Sequence, residues 1–231
     1  MNKHGKSFGL YNRLKNDSGH NWTNYISHPF VEALGDGTLP IEAFRYYLKQ
    51  DYLFLIDFSR AWGLAAFKSE KIDHIRAASK MLDTIINLEI NLHINFCKDW
   101  DISLKDLEKV PKEPRSRAYI DHVFDCGLKG DILDLHVALA PCIVGYGEIG
   151  RNISQKKDYS DNNPFKSWVE MYSSDSYQET AKDEMETLDL LYSDLGSAVR
   201  YNKLSEIFNK STKLEAAFWQ MSFESCKLGK I

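Results

Sequence analysis

The chain has 231 residues, 43% of them hydrophobic and 27% charged, with a formal net charge of −4. That length suits one domain with a sizeable core, and the acidic balance leaves no basic footprint for nucleic acid. The start, "MNKHGKSFGLYNRLKND", has no apolar leader region, and no later stretch approaches the run of about eighteen apolar residues that spans a membrane. A cytoplasmic protein with neither a nucleic-acid nor a membrane partner is expected.

In chain order, "GDGTLP" (35–40) reads as a turn, with Pro40 well placed to start a helix. The segment that follows, 41–68, is apolar on too many sides for a surface helix. In "IDHIRAASKMLDTIINLEINLHINF", Ile75, Ala78, Leu82, Ile85, Ile86 and Leu92 recur at helical spacing. "KVPKEPRS" (109–116) and "CGLKGD" (126–131) are breaks. They precede a second segment apolar all round, 131–150, which holds "ALAPCIVGYGEIG". "SQKKDYSDNNP" (154–164) is a polar loop, and "ETAKDEMETLDLLYSDLG" is a helix ending on glycine. No strand alternation or internal repeat interrupts the pattern. The expectation is an all-α chain, one domain over 1–231, with on the order of eight helices in a bundle. Its two all-round apolar helices belong at the centre.

That placement makes their polar residues costly. Asp51 shares a helix face with Phe54 and Leu55, Cys142 with Tyr146, and Glu215 with Phe218 and Trp219. Facing stripes of this kind would enclose a pocket of flat rings holding a thiol and two carboxyl groups. Ordinary packing is the competing reading: Cys142 as a small core residue, Asp51 paired with Arg45, Lys49 or Arg60, and Glu215 facing solvent. A carboxylate inside an apolar helix is destabilising without a partner, which favours the pocket. Pro141 cannot donate to the carbonyl of Val137, and the kink it causes would aim Cys142. Gly145 and Gly147 would clear space for a flat ligand. The other thiols, Cys97, Cys126 and Cys226, stand far apart with no CxxC, so neither a zinc site nor a disulfide framework fits.

With these residues laid out, the chain resembles the TenA, or thiaminase II, family. "HPFVEALGDGTLPIEAFRYYLKQDYLFL" (28–55), "LAPCIVGYGEIG" and "LEAAFWQM" match three of its motifs in order. The resemblance implies a haem-oxygenase-like helical bundle, assembled as a homotetramer, that needs no metal or cofactor. It implies a hydrolase that releases 4-amino-5-hydroxymethyl-2-methylpyrimidine, in thiamine salvage, from thiamine or from an aminomethylpyrimidine. Carried over by position, Cys142 is the nucleophile and Glu215 the acid. Asp51 holds the amino group and ring edge, Tyr119, Tyr146 and Tyr172 line the pocket, and Phe54 and Phe218 lie against the ring. Many members carry tyrosine where this chain has Phe54, and that hydroxyl assists the cysteine; its loss implies a slower nucleophile.

Two other readings compete. "EINLH" places Glu89 and His93 one turn apart, as in haem-oxygenase-like di-iron proteins. However, the seven histidines (4, 20, 28, 74, 93, 122 and 136) all precede residue 137, so the C-terminal helices supply no imidazole. A pyrimidine-binding regulator or scaffold would keep the pocket without turnover.

Overall fold

A computed structural model describes residues 9–225; His4, Cys226 and the first eight residues of the opening stretch read for a leader lie outside the described residues. Twelve α-helices follow one another: α1 (Leu10–Ser18), α2 (His20–Ile26), α3 (Pro29–Gly35), α4 (Ile41–Lys68), α5 (Ile72–Thr84), α6 (Ile90–Asp99), α7 (Leu104–Lys109), α8 (Pro114–Lys129), α9 (Ile132–Ser154), α10 (Lys166–Ser173), α11 (Asp175–Leu195) and α12 (Ala198–Ser225). A five-residue π-helical turn, Ile85–Glu89, joins α5 to α6. No strand occurs among the described residues, so the all-α reading holds. The extra helices are short ones, in which two turns or fewer carry too little periodicity to be read from sequence.

The breaks fall at helix junctions and supply the caps. His28 ends the lead-in to α3 by accepting, at Nδ1, the amide of Phe30 at 3.1 Å, and Pro29 opens the helix. Asp131 caps α9 reciprocally with Asp134, its carboxylate accepting the amides of Leu133 and Asp134. Helix α9 buries 18 of its 23 residues and packs against α2, α4, α8, α10, α11 and α12. It is also long and apolar enough to cross a membrane, which corrects the expectation that no segment comes close. Since 89% of its most apolar window is buried within the bundle, it serves as the core helix. Helix α4 lies beside it, with α12 and α8 closing the core.

Helix α9 continues through Pro141. The Tyr25 hydroxyl donates to the Pro141 carbonyl at 3.1 Å, and the Tyr25 ring occupies the space at Gly145, where a Cβ would lie 2.3 Å from Cε1. Gly145 therefore clears room for Tyr25 and not for a ligand. Gly147 faces Ala181, Gln178 and Tyr177 on α11 at ordinary contact distance. The glycine that sets the site is Gly150: a Cβ there would be 2.6 Å from the backbone of Tyr172, so its absence lets the end of α10 close on α9.

Candidate active site

Three long helices bring the reactive groups together. Asp51, on α4, is buried, and its Oδ2 accepts the Tyr47 hydroxyl at 3.1 Å. Tyr47 in turn accepts the indole N–H of Trp168 at 3.1 Å and is hydrogen-bonded to Tyr146. No lysine or arginine pairs with Asp51 among the described residues; Arg45 and Arg60 pair with Glu42 and Asp57 instead. The second neighbour of Asp51 is His93, whose Nδ1 lies 3.4 Å from Oδ2. The other ring nitrogen, Nε2, donates to the Leu48 carbonyl at 2.6 Å.

Burial pushes the Asp51 carboxyl up to about 7, with the Tyr47 hydrogen bond opposing and the charge of Glu89 adding to the rise. The same desolvation pushes His93 down to about 4, so its ring is neutral at pH 7. A ring that donates from Nε2 turns its Nδ1 to the Asp51 carboxyl, so a proton on either partner bridges them. His93 thus fixes Asp51. No group of three or more His, Cys, Asp or Glu side chains is placed to hold a metal among the described residues.

On α9, the Cys142 thiol is near enough to Glu215 of α12 for each to act on the other, and Tyr119 of α8 donates to Glu215 Oε1 at 2.8 Å. Burial pushes Cys142 well above the usual thiol range, and the carboxylate of Glu215 pushes in the same direction. Burial also pushes Glu215 up to about 8, against the hydrogen bond from Tyr119. That rise favours the protonated acid, the form that can donate a proton.

Asp51, Phe54, Cys142, Tyr146 and Tyr172 share one cavity. The other three residues singled out in the sequence stand behind its wall. Glu215 and Tyr119 back Cys142, while Phe218 packs on Phe54 with ring centroids 5.8 Å apart. Phe54 is stacked on Tyr119 at 5.1 Å and offers the thiol no hydroxyl. Tyr146, Tyr172 and Trp168 form a separate ring cluster with centroids 4.5 to 5.9 Å apart. The free space is small, about 20 Å³, room for roughly one water. Larger surface recesses of about 490 and 820 Å³ are lined by no cysteine.

Sequence reasoning missed Tyr47, Tyr177 and Thr180, and saw Glu89 and His93 only as a metal pair. Tyr47 was findable, because it precedes Asp51 by four residues on the same face. Tyr177 and Thr180 come from α11, whose pattern carries no sign of a site. Of the remaining thiols, Cys97 is buried, and Cys126 is half-buried with its sulfur 3.7 Å from His122 Nδ1.

Comparison with known proteins places these residues in context. A family described as TENA/THI-4/PQQC matches residues 19–225. An "Uncharacterized protein" of Haemophilus influenzae is 36% identical over 88% of this chain and 94% of its own. The "Aminopyrimidine aminohydrolase" of Halalkalibacterium halodurans is 33% identical over 87% of this chain and 90% of its own. Among solved structures, a "TenA family transcription regulator" from Silicibacter sp. TM1040 superposes with a TM-score of 0.88 at 38% identity, covering 93% of this chain and 96% of that one.

Proposed function

The chain belongs to the TENA/THI-4/PQQC family, and from that membership together with the cavity we propose that it is an aminopyrimidine aminohydrolase. Its substrate is 4-amino-5-aminomethyl-2-methylpyrimidine or thiamine, and its product the 5-hydroxymethyl pyrimidine. The observation that carries this reading is that Cys142 and Asp51 line one cavity, with the buried, Tyr119-held Glu215 close enough to act on the thiol.

Direct displacement at the methylene carbon is slow, because water is a weak nucleophile and an amine a poor leaving group. Sulfur addition to a ring carbon splits that step into easier ones. Protonated Glu215 gives its proton to a ring nitrogen and takes up the Cys142 S–H proton as the C–S bond forms. Hence the raised thiol pKa is no obstacle: the proton leaves as the C–S bond forms. The adduct has lost aromaticity and drives out the leaving group through the methylene carbon. Water adds to that carbon and gives a proton to the departed amine; the C–S bond then breaks, the ring-nitrogen proton returns through Glu215 to the sulfur, and the ring regains its aromaticity. Asp51 meets Tyr47 and His93 at Oδ2, which leaves Oδ1 to accept from the ring's amino group. A ring lacking that amino group leaves a buried oxygen unpaired and is rejected. Tyr146 and Tyr172 supply flat surfaces for the heterocycle.

A homotetramer in the cytoplasm belongs to the same reading. Phe67, 84% exposed, and Val199, 89% exposed, are apolar surface that subunit contact would cover.

The regulatory alternative draws on the name carried by the Silicibacter structure. Incubation with each substrate, assaying ammonia and thiazole separately, decides between the two. Turnover that is lost in Cys142→Ser, with pyrimidine affinity kept, supports the hydrolase. Binding with no turnover in the unaltered protein means a regulator.

A further inference from the structure

Two carboxyl groups face the cavity, and none of the residues lining it is Lys, Arg or His. Asp51 is engaged by Tyr47 and His93. Glu89 is different: among the described residues it makes no hydrogen bond and no ion pair, although its neighbours in space include two potential donors, Tyr177 and Thr180. It is half-buried, and its charge acts on Cys142, Asp51, Tyr172 and Tyr177.

Its presentation is also unusual. Glu89 ends the π-helical turn Ile85–Glu89, in which one extra residue per turn rotates the following side chains out of α-helical phase. The rotation shows in the neighbours: Ile85 is buried, while Ile86, which α-helical periodicity puts on the apolar face, is 45% exposed. Turns of this kind persist where a side chain must be re-aimed, and here the re-aimed side chain is an unpartnered carboxyl group in a cavity with no cation of its own.

We propose that Glu89 binds the cationic leaving group of the substrate, and that it selects a primary ammonium on the methylene carbon. This rests on the aminohydrolase reading and deepens it. An aminomethyl group is protonated near neutral pH, and a carboxylate freed from other partners is its natural receptor. Burial holds Glu89 up to about 7, so an arriving ammonium both meets and favours its ionised form. The ion pair also suits the chemistry. When the C–N bond breaks, its electron pair goes to nitrogen, and –CH2–NH3+ departs as ammonia with no proton to find. Water adding to the methylene carbon gives up a proton to that ammonia, which leaves as ammonium. A pyrimidine whose substituent is neutral, such as the hydroxymethyl product, gains nothing from Glu89 and dissociates.

The test is Glu89→Gln, which keeps the shape and removes the charge. Steady-state kinetics give KM for 4-amino-5-aminomethyl-2-methylpyrimidine and the inhibition constant of the hydroxymethyl product on each protein. The expected result is a KM raised about tenfold, the size of a lost charge-assisted hydrogen bond. The product's inhibition constant should stay within about twofold, a selectivity that a structural disturbance would not produce. An unaltered protein that turns over the amine, with a variant whose two constants shift together or not at all, overturns the role of Glu89 and leaves the hydrolase reading standing. An unaltered protein that neither cleaves nor binds either pyrimidine overturns both.

Discussion

Helix α9 and the α5–π wall face each other across the cavity, and they are built on opposite terms. Helix α9 buries 18 of 23 residues, whereas α5 buries only Ala78 of 13. Cys142 sits on the first, and its partners Asp51 and Glu215 on two more core helices; Met81 and Glu89 sit on the second. The groups proposed to make bonds are thus set in deeply buried helices, while the group proposed to hold the leaving amine stands on a wall with little buried surface of its own.

If the core side carries the chemistry, changes there should act on turnover, and changes in the wall on affinity. The largest effect is expected for Glu215→Gln, with kcat lowered about a hundredfold or more and little change in KM. The same variant has a signature in stability. The Glu215 carboxyl lies at about 8 in the folded protein against an ordinary 4.5, so the fold holds its proton more tightly. That contribution is full below pH 4.5 and lost as pH rises through 8. Denaturant titrations should therefore show the variant gaining on its parent between pH 5 and 8. A constant difference across that range would mean that Glu215 is ionised in the fold.

Next in size is Gly145→Ala. Its new Cβ meets the buried Tyr25 ring at 2.3 Å, an overpacking worth about 1–3 kcal/mol, visible as a lower Tm. An unchanged Tm would show the core side to be softer than the comparison requires. The smallest expected change is Phe54→Tyr. A hydroxyl placed among Cys142, Tyr119 and Glu215 should help take up the thiol proton and raise kcat about two- to fivefold. Equal or lower turnover at matched stability would contradict the view that this position limits the nucleophile.

Much of the core side was legible in the sequence. The all-round apolar runs of 41–68 and 131–150 became α4 and α9, and Asp51, Cys142 and Glu215 were visible as polar residues too costly to be incidental. The wall was not legible. A π turn shifts helical phase by one residue without any marker in composition, so Ile86 was assigned to the wrong face and the cavity-facing position of Glu89 was not seen. Gly145 misled for a different reason: the ring filling its space is Tyr25, a partner distant in sequence that no local spacing reveals. Tyr47 was legible from its place one turn before Asp51 on the same face, which its neighbour Tyr46 does not share.

The covalent role of Cys142 is open to direct measurement. The protein is mixed with the aminomethylpyrimidine, quenched within one turnover, and its intact mass read by spectrometry. The account predicts a transient pyrimidine adduct that maps to Cys142 and is missing from Cys142→Ser. Turnover at an undiminished rate in Cys142→Ser would contradict it.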